Sequence, residues 1–259
     1  MDRRTFVGAT AATLAAPALG AAADAKSAAP ELYELRTYTL KPGKRPLLDD
    51  YLSKAFVPAV KRHGAGPVGV FAAPPENDVL KVYVLAIHRS AETVTALPAR
   101  LAADEEHRTA GAAYLAATPE DPVYQRIESS LLVAIPGMPR LEAPDTSKPR
   151  LLNLRVYESH NERAAAKKVE MFEKGGELAI FRRVGLTPVF FASAAVGAAM
   201  PNLTYMLVFP DENGRKAAWD KFRGEPEWLK LKAVSGYTDK EIVSRITNLI
   251  LTPAAYSEI

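Results

Sequence analysis

YELRTYTLKPG, Tyr33 to Gly43, and LNLRVYESH, Leu152 to His160, share the core L-R-x-Y, with Arg155 and Tyr157 lying 119 residues after Arg36 and Tyr38. The first stretch reads as a strand, and alternation puts Glu34, Arg36 and Tyr38 on one face and Leu35, Thr37 and Thr39 on the other. An arginine flanked by a carboxylate and a phenol is a specific arrangement, and its return in the second stretch points to a chain built twice.

The text around these strands recurs in one order. In the first half an amphipathic helical run extends from about Arg45 to Arg62, with Leu48, Leu52, Phe56 and Val60 on one line and Pro58 placed to kink it. Strands at Val68 to Ala72 and Leu80 to Ile87 follow, then helical text from Ala91 to Ala117 that breaks near Pro98, then a strand from Ser129 to Ile135. The second half gives a strand from Leu151 to Glu158 and a helix from about Glu162, with Ser159 and Glu162 at capping-box spacing. Strands at Pro188 to Ala192 and Leu203 to Phe209, a helix around KAAWDKF and a strand from Ile246 to Leu251 complete it. Four local matches support the duplication: VGVFAA with TPVFFAS, KVYVLA with LTYMLV, DPVYQRI with EPEWLKL, and SSLLVAIP with TNLILTP. Residues 136–149 hold Pro136, Pro139, Pro144 and Pro149 without an apolar period and read as a linker between repeats at 31–135 and 150–259.

Each repeat is thus β-α-β-β-α-β, an α+β unit of the ferredoxin-like kind. Its helices cover one face of a four-stranded antiparallel sheet, so the other face needs a cover. Two copies packed sheet to sheet supply it, which predicts a pseudo-twofold α/β barrel.

The motifs carry a family likeness. ELRTYTLKPGK (Glu34 to Lys44) and YMLVFPDENGRKAAWDKFRGEPEWLK (Tyr205 to Lys230), with Ala218, Trp219, Phe222, Pro226, Glu227 and Trp228 in an A-W-x-x-F then D-P-E-W pattern, resemble the NIPSNAP family, a branch of the dimeric α/β-barrel superfamily. Glu225 stands where that pattern has aspartate, and the first half has Tyr114 and Tyr124 in the places of Trp219 and Trp228. The resemblance implies the barrel over residues 31 to 259. It leaves the chemistry open, since the superfamily holds cofactor-free monooxygenases, haem enzymes and isomerases, and fold alone does not choose among them.

Bulk properties narrow the classes. The 259 residues carry a net charge of only +3, with cations interspersed among carboxylates, which excludes a nucleic-acid binder. The absence of cysteine removes disulfides, thiolate catalysis, iron-sulfur clusters and cysteine-held zinc. Residues 1–25 have a basic start with Arg3 and Arg4, an apolar run too short for a membrane span and an alanine-rich end, the layout of a twin-arginine export signal. A periplasmic or secreted protein, exported after folding, is the expectation.

For the site, Arg36, Tyr38, Arg155 and Tyr157 share a strand face. If that face turns toward the other half, two arginines and two phenols meet near the pseudo-twofold axis. Two readings stay open there: a site for an anion or carboxylate, because a guanidinium offers a bidentate fork, and a buried ionic layer pairing Glu34 with Arg155 or Glu158 with Arg36. Trp219, Phe222 and Trp228 are a core seam or a pocket wall. His63 ends a helix, His107 lies on a solvated helical face, and His88 and His160 follow strands at the rim, where sites form. No metal-binding spacing, phosphate loop or nucleophile elbow occurs. The expected function is binding of a small molecule or partner. The alternative is cofactor-free or haem-dependent oxidation using His88, His160, Arg155 or Tyr205 at a cavity, with no cofactor predicted and haem left open. A homo-oligomer is a third reading.

Overall fold

The computed structural model describes residues 29–77 and 79–259; the twin-arginine-like segment and the export reading built on it lie outside the described residues. The first repeat runs β1 (Leu32–Leu40), α1 (Arg45–Tyr51), a π-helical turn (Leu52–Phe56), α2 (Val57–Arg62), β2 (Val68–Ala72), β3 (Lys81–His88), α3 (Ala91–Ala103), α4 (Glu105–Ala110), α5 (Ala112–Leu115) and β4 (Tyr124–Ala134). The second runs β5 (Leu151–Glu158), α6 (Glu162–Glu173), α7 (Glu177–Val184), β6 (Thr187–Val196), β7 (Asn202–Phe209), α8 (Glu212–Gly224), α9 (Pro226–Leu231), α10 (Asp239–Ile242) and β8 (Arg245–Pro253).

Local chemistry sets the element ends. Pro58 has no N–H and its ring crowds the carbonyl one turn back, so the preceding turn widens and the Val57 amide bonds to the Leu52 carbonyl. Pro98, by contrast, is accommodated inside α3. The helical text breaks at Asp104 instead, whose carboxylate accepts from the His107 amide at 2.9 Å to start α4 and is clamped by Arg62. The start of α6 is capped by Asn161, which accepts from the Ala164 amide, rather than by Ser159, whose hydroxyl donates to the Ile242 carbonyl at 2.6 Å. Pro226 opens α9 at its first turn behind Glu225, whose side chain accepts from the Trp228 amide.

The eight strands close into one antiparallel barrel in the order β1-β3-β2-β8-β5-β7-β6-β4. Each repeat contributes four neighbouring strands, and the joins are β2 with β8 and β4 with β6. The linker does not hang free: the Glu142 amide bonds to the Val189 carbonyl, and Met138 is buried. Register also corrects one of the sequence matches. Laying KVYVLA on LTYMLV equates Tyr83 with Tyr205, but Thr37 pairs with Tyr83 whereas Arg155 pairs with Tyr205. The structural counterpart of Tyr205 is Val84, and a one-residue slip puts the two tyrosines on opposite faces.

The barrel interior is packed by Tyr33, Phe71, Leu85, Leu154, Phe190 and Met206 among others, each such burial stabilising by about 1.5–3 kcal/mol. At one place the packing leaves no room even for a methyl group: a Cβ on Gly69 would stand 2.4 Å from the Phe71 ring and 3.2 Å from Ile259, which is itself fully buried. Two further cores lie outside the sheet, one beneath the helices of each repeat.

Candidate functional site

Alternation along β1 sends Leu35 to the barrel interior, and Arg36 and Tyr38 therefore face the helices. On β5 the same rule sends Leu154 inward and Tyr157 outward. The two arginines consequently do not meet inside the barrel. The Arg36 guanidinium lies 5.0 Å over the Phe56 ring under its own helices, and that of Arg155 lies 4.7 Å over the Trp219 ring of α8. Neither expected cross-pair forms, because Glu34 and Arg155 belong to separate cores. The Glu158 carboxylate instead stands 3.9 Å from Arg245.

In the first repeat the arginine is satisfied by its own strand. Arg36 donates from Nε to Glu34 Oε1 at 2.6 Å and from Nη2 to Oε2 at 3.0 Å, and the Ser129 hydroxyl donates to the same carboxylate at 2.9 Å. His88, fully buried at the end of β3, holds Nε2 3.8 Å from Glu34, and neither of its ring nitrogens has a hydrogen-bond partner. Burial would raise the Glu34 carboxyl, yet the adjacent His88 ring, the Arg36 guanidinium and the Ser129 hydroxyl together hold it down at about 2. Around this pair the space is filled by phenols: Tyr51 stacks on Tyr114 at 3.9 Å, and Tyr38, whose hydroxyl is pushed up by burial, meets Tyr124 edge-on at 6.0 Å. His107 belongs to this packing and not to a solvated face. It is 4% exposed, with Nδ1 3.0 Å from the Leu101 carbonyl and Nε2 3.1 Å from the Tyr51 hydroxyl.

In the second repeat the residue two before the arginine is Asn153, shorter by a methylene and neutral. Its amide donates to Asn248 Oδ1 at 2.7 Å and to the Leu249 carbonyl at 3.1 Å. Arg155 donates from Nη1 to Asn248 Oδ1 at 3.0 Å and from Nη2 to the Tyr157 hydroxyl at 3.2 Å. Its Nε is buried without a partner, and so is Nε1 of Trp219. Two orphaned buried N–H donors in one place are a costly arrangement unless an acceptor joins them.

Arg155 and Trp219 line a cavity of about 380 Å³ between the sheet and α8 to α10, whose aromatic wall is Tyr157, Trp219, Phe222 and Trp228, and the two donor atoms are buried behind its surface. At its rim Arg215 is bound to Glu212 at 2.7 Å and Arg223 to Asp220, while Lys216 and Asp239 also reach the cavity. The Tyr205 hydroxyl, pushed well up by burial, donates to the Tyr157 hydroxyl at 3.0 Å. Tyr157 thus accepts from both Arg155 and Tyr205, and its own proton is directed elsewhere. Behind these phenols Lys168 and Glu177 form a buried pair at 3.2 Å, Lys168 lying 5.1 Å over the Tyr157 ring, and burial raises the Glu177 carboxyl.

Of the residues singled out from sequence, Arg155, Tyr157, Tyr205 and Trp219 come together here. Arg36, Tyr38 and His88 share the first-repeat cluster, and His160 is exposed in the turn after β5. The pocket lining contains no histidine, so neither His88 nor His160, the histidines named for oxidation at a cavity, faces it. Among the described residues no group of three or more acidic or histidine side chains is arranged to hold a metal ion, and no helix is long and apolar enough to cross a membrane. Sequence reasoning missed Asn153, Asn248 and the Lys168–Glu177 pair. The 119-residue offset contains the signal for the first two, since it lays Asn153 on Glu34 and Asn248 on Ser129.

The sequence model of the NIPSNAP family matches residues 33–138 and 152–258. A search of curated proteins returned no match. Among solved structures, the chain is similar to a "Putative monooxygenase" from Fusobacterium nucleatum at 11% identity and TM-score 0.57, covering 87% of this chain and 93% of that one. It is similar also to an anthrone oxidase-like protein at 12% identity and TM-score 0.53, covering 89% and 95%. An uncharacterized NIPSNAP-like domain protein from Burkholderia xenovorans aligns at 20% identity and TM-score 0.37 with 42% of this chain and 88% of its own. At these identities the first two likenesses are ones of fold.

Proposed function

The chain belongs to the NIPSNAP family, and from that premise we propose that it binds a small molecule rich in hydrogen-bond acceptors in the pocket of its second repeat, anchored by Arg155. The observation that carries the reading is the pair of buried, unpartnered donors, Arg155 Nε and Trp219 Nε1, beside an aromatic-walled cavity. Buried donors are ordinarily satisfied, and an acceptor supplied from outside satisfies both. The chain has two tryptophans, Trp219 and Trp228, and both line this cavity, so intrinsic fluorescence reports on it directly. Protein purified from its own host is expected to release a small molecule on denaturation, detected by mass spectrometry, and Arg155→Leu to release none. Equal release from both forms would refute the anchor.

Tyr157 favours a second reading. Accepting from Arg155 and Tyr205 and bordering the cavity, it is placed to give its proton to a bound oxyanion. Cofactor-free oxidation of the ligand is compatible with the names borne by the two full-length fold relatives. Oxygen consumption with the released molecule, lost in Tyr157→Phe, is the check. Export through the twin-arginine pattern of Arg3 and Arg4 goes with either reading, and retention of an Arg3→Lys, Arg4→Lys form in the cytoplasm would support it.

A further inference from the structure

Resting on the reading of the second-repeat pocket as a ligand site, the geometry points to the group it recognises: a carboxylate, carried on a flat aromatic body. The chain holds its own precedent. Arg36 and Arg155 occupy equivalent places, each on the first strand of its repeat, each facing outward and each opposite the last strand, at Ser129 and Asn248 respectively. In the first repeat the Nε edge of the guanidinium is engaged by the Glu34 carboxylate, 2.6 Å from Nε and 3.0 Å from Nη2. In the second repeat the corresponding side chain is Asn153, whose NH2 donates to Asn248 and Leu249; its Oδ1 is buried without a partner and does not reach Arg155, and the same Nε has no partner. What is missing at Arg155 is therefore what Glu34 supplies at Arg36. A planar pair of oxygens matches the Nε and Nη2 fork, which a tetrahedral phosphate matches less well.

The remaining polar atoms fit the same partner. Trp219 Nε1 is a buried donor without an acceptor, and the Tyr157 hydroxyl has its proton to give; both residues line the cavity with Arg155. The body of the ligand is set by the wall, where Trp219, Phe222 and Trp228 pack against one another, Phe222 and Trp228 with ring centroids 4.4 Å apart and Trp219 and Phe222 5.7 Å apart, and line the cavity. A continuous aromatic face of this kind suits the stacking of a flat ring. Arg155 Nε is sealed from solvent, and the Trp219 ring lies over its guanidinium. An incoming carboxylate displaces that ring, and tryptophan emission changes as it does so.

The test is a calorimetric titration of the full chain with three matched probes, 3-phenylpropanoate, 3-phenylpropyl phosphate and 3-phenylpropan-1-ol, followed in parallel by tryptophan emission. The carboxylate is expected to bind at least about tenfold more tightly than either analogue. Arg155→Lys, which keeps the charge but loses the fork, is expected to weaken it by about tenfold. Asn153→Glu, which places the chain's own carboxylate beside Arg155, is expected to abolish it. Tighter or equal binding of the phosphate or the alcohol overturns the carboxylate and leaves the pocket reading standing. Undiminished binding by Arg155→Lys also overturns it, and that variant stands by itself if Asn153→Glu fails to fold, as circular dichroism would show. No titration by any of the three probes would count against the pocket itself.

Discussion

The two repeats share a strand motif, a register and a fold, and they treat the same arginine in opposite ways. In the first repeat Glu34 neutralises Arg36, and tyrosines from α1, α5 and β4 fill the space beside the pair. In the second repeat Asn153 leaves Arg155 with phenol and amide partners only, and the helices stand off to form a cavity. A buried guanidinium needs an acceptor, so the copy that carries its own carboxylate is complete as structure. The copy without one leaves Arg155 Nε unpartnered beside a cavity. Duplication allows this, because one repeat can hold the barrel together while the other changes its chemistry.

The comparison predicts a large asymmetry between equivalent substitutions. Glu34→Gln or Arg36→Leu leaves one member of a pair only 14–19% exposed without its partner, and either is expected to lower unfolding stability by about 3 kcal/mol, measured by urea titration. Arg155→Leu, which removes a cation with no carboxylate partner, is expected to change stability by less than about 1 kcal/mol while removing ligand retention. Equal losses at Arg36 and Arg155 would erase the distinction between the repeats.

The pair also predicts a pH dependence. The Glu34 carboxyl is held at about 2 against an ordinary 4.5, so between these values the unfolded chain binds more protons than the folded one. The stabilisation is fully present above about pH 4.5 and is lost as pH falls through about 2. Unfolding free energy followed over that range should decline more steeply in the natural chain than in Glu34→Gln. Parallel curves would mean the carboxyl is not the group responsible. A further contrast concerns Tyr205, whose counterpart is Val84 and which has no equivalent in the first repeat: Tyr205→Phe removes its hydrogen bond to Tyr157 and is expected to cost about 1 kcal/mol in the same urea titration.

Much of the fold was legible. The strands β1 and β5 follow from their period of two, and the doubled order of elements gave the two repeats and the barrel, because a ferredoxin-like sheet must cover its bare face. Less was legible where one residue's register decides a side. Tyr83 and Tyr205 align by eye yet face opposite ways. DPVYQRI and EPEWLKL look alike, but Tyr124 begins β4 whereas Trp228 lies in α9. His107 sits in the charged text ADEEHR and is nonetheless buried, because Asp104 starts a new helix that turns its ring onto Tyr51. The candidate site was half legible: Arg155, Tyr157, Tyr205 and Trp219 were named, but Arg155 and Tyr157 were expected near the pseudo-twofold axis with Arg36 and Tyr38 and not beneath α8 with Trp219.

The sequence by itself determined which residues share a face, since alternation and the 119-residue repeat are properties of the chain. It could not determine which face turns inward, for Leu35 and Arg36 are neighbours and only closure of the barrel selects between them. That selection separates the two arginines into different cores. It then makes the difference between Glu34 and Asn153 matter, because a charge taken from water must find its partner locally.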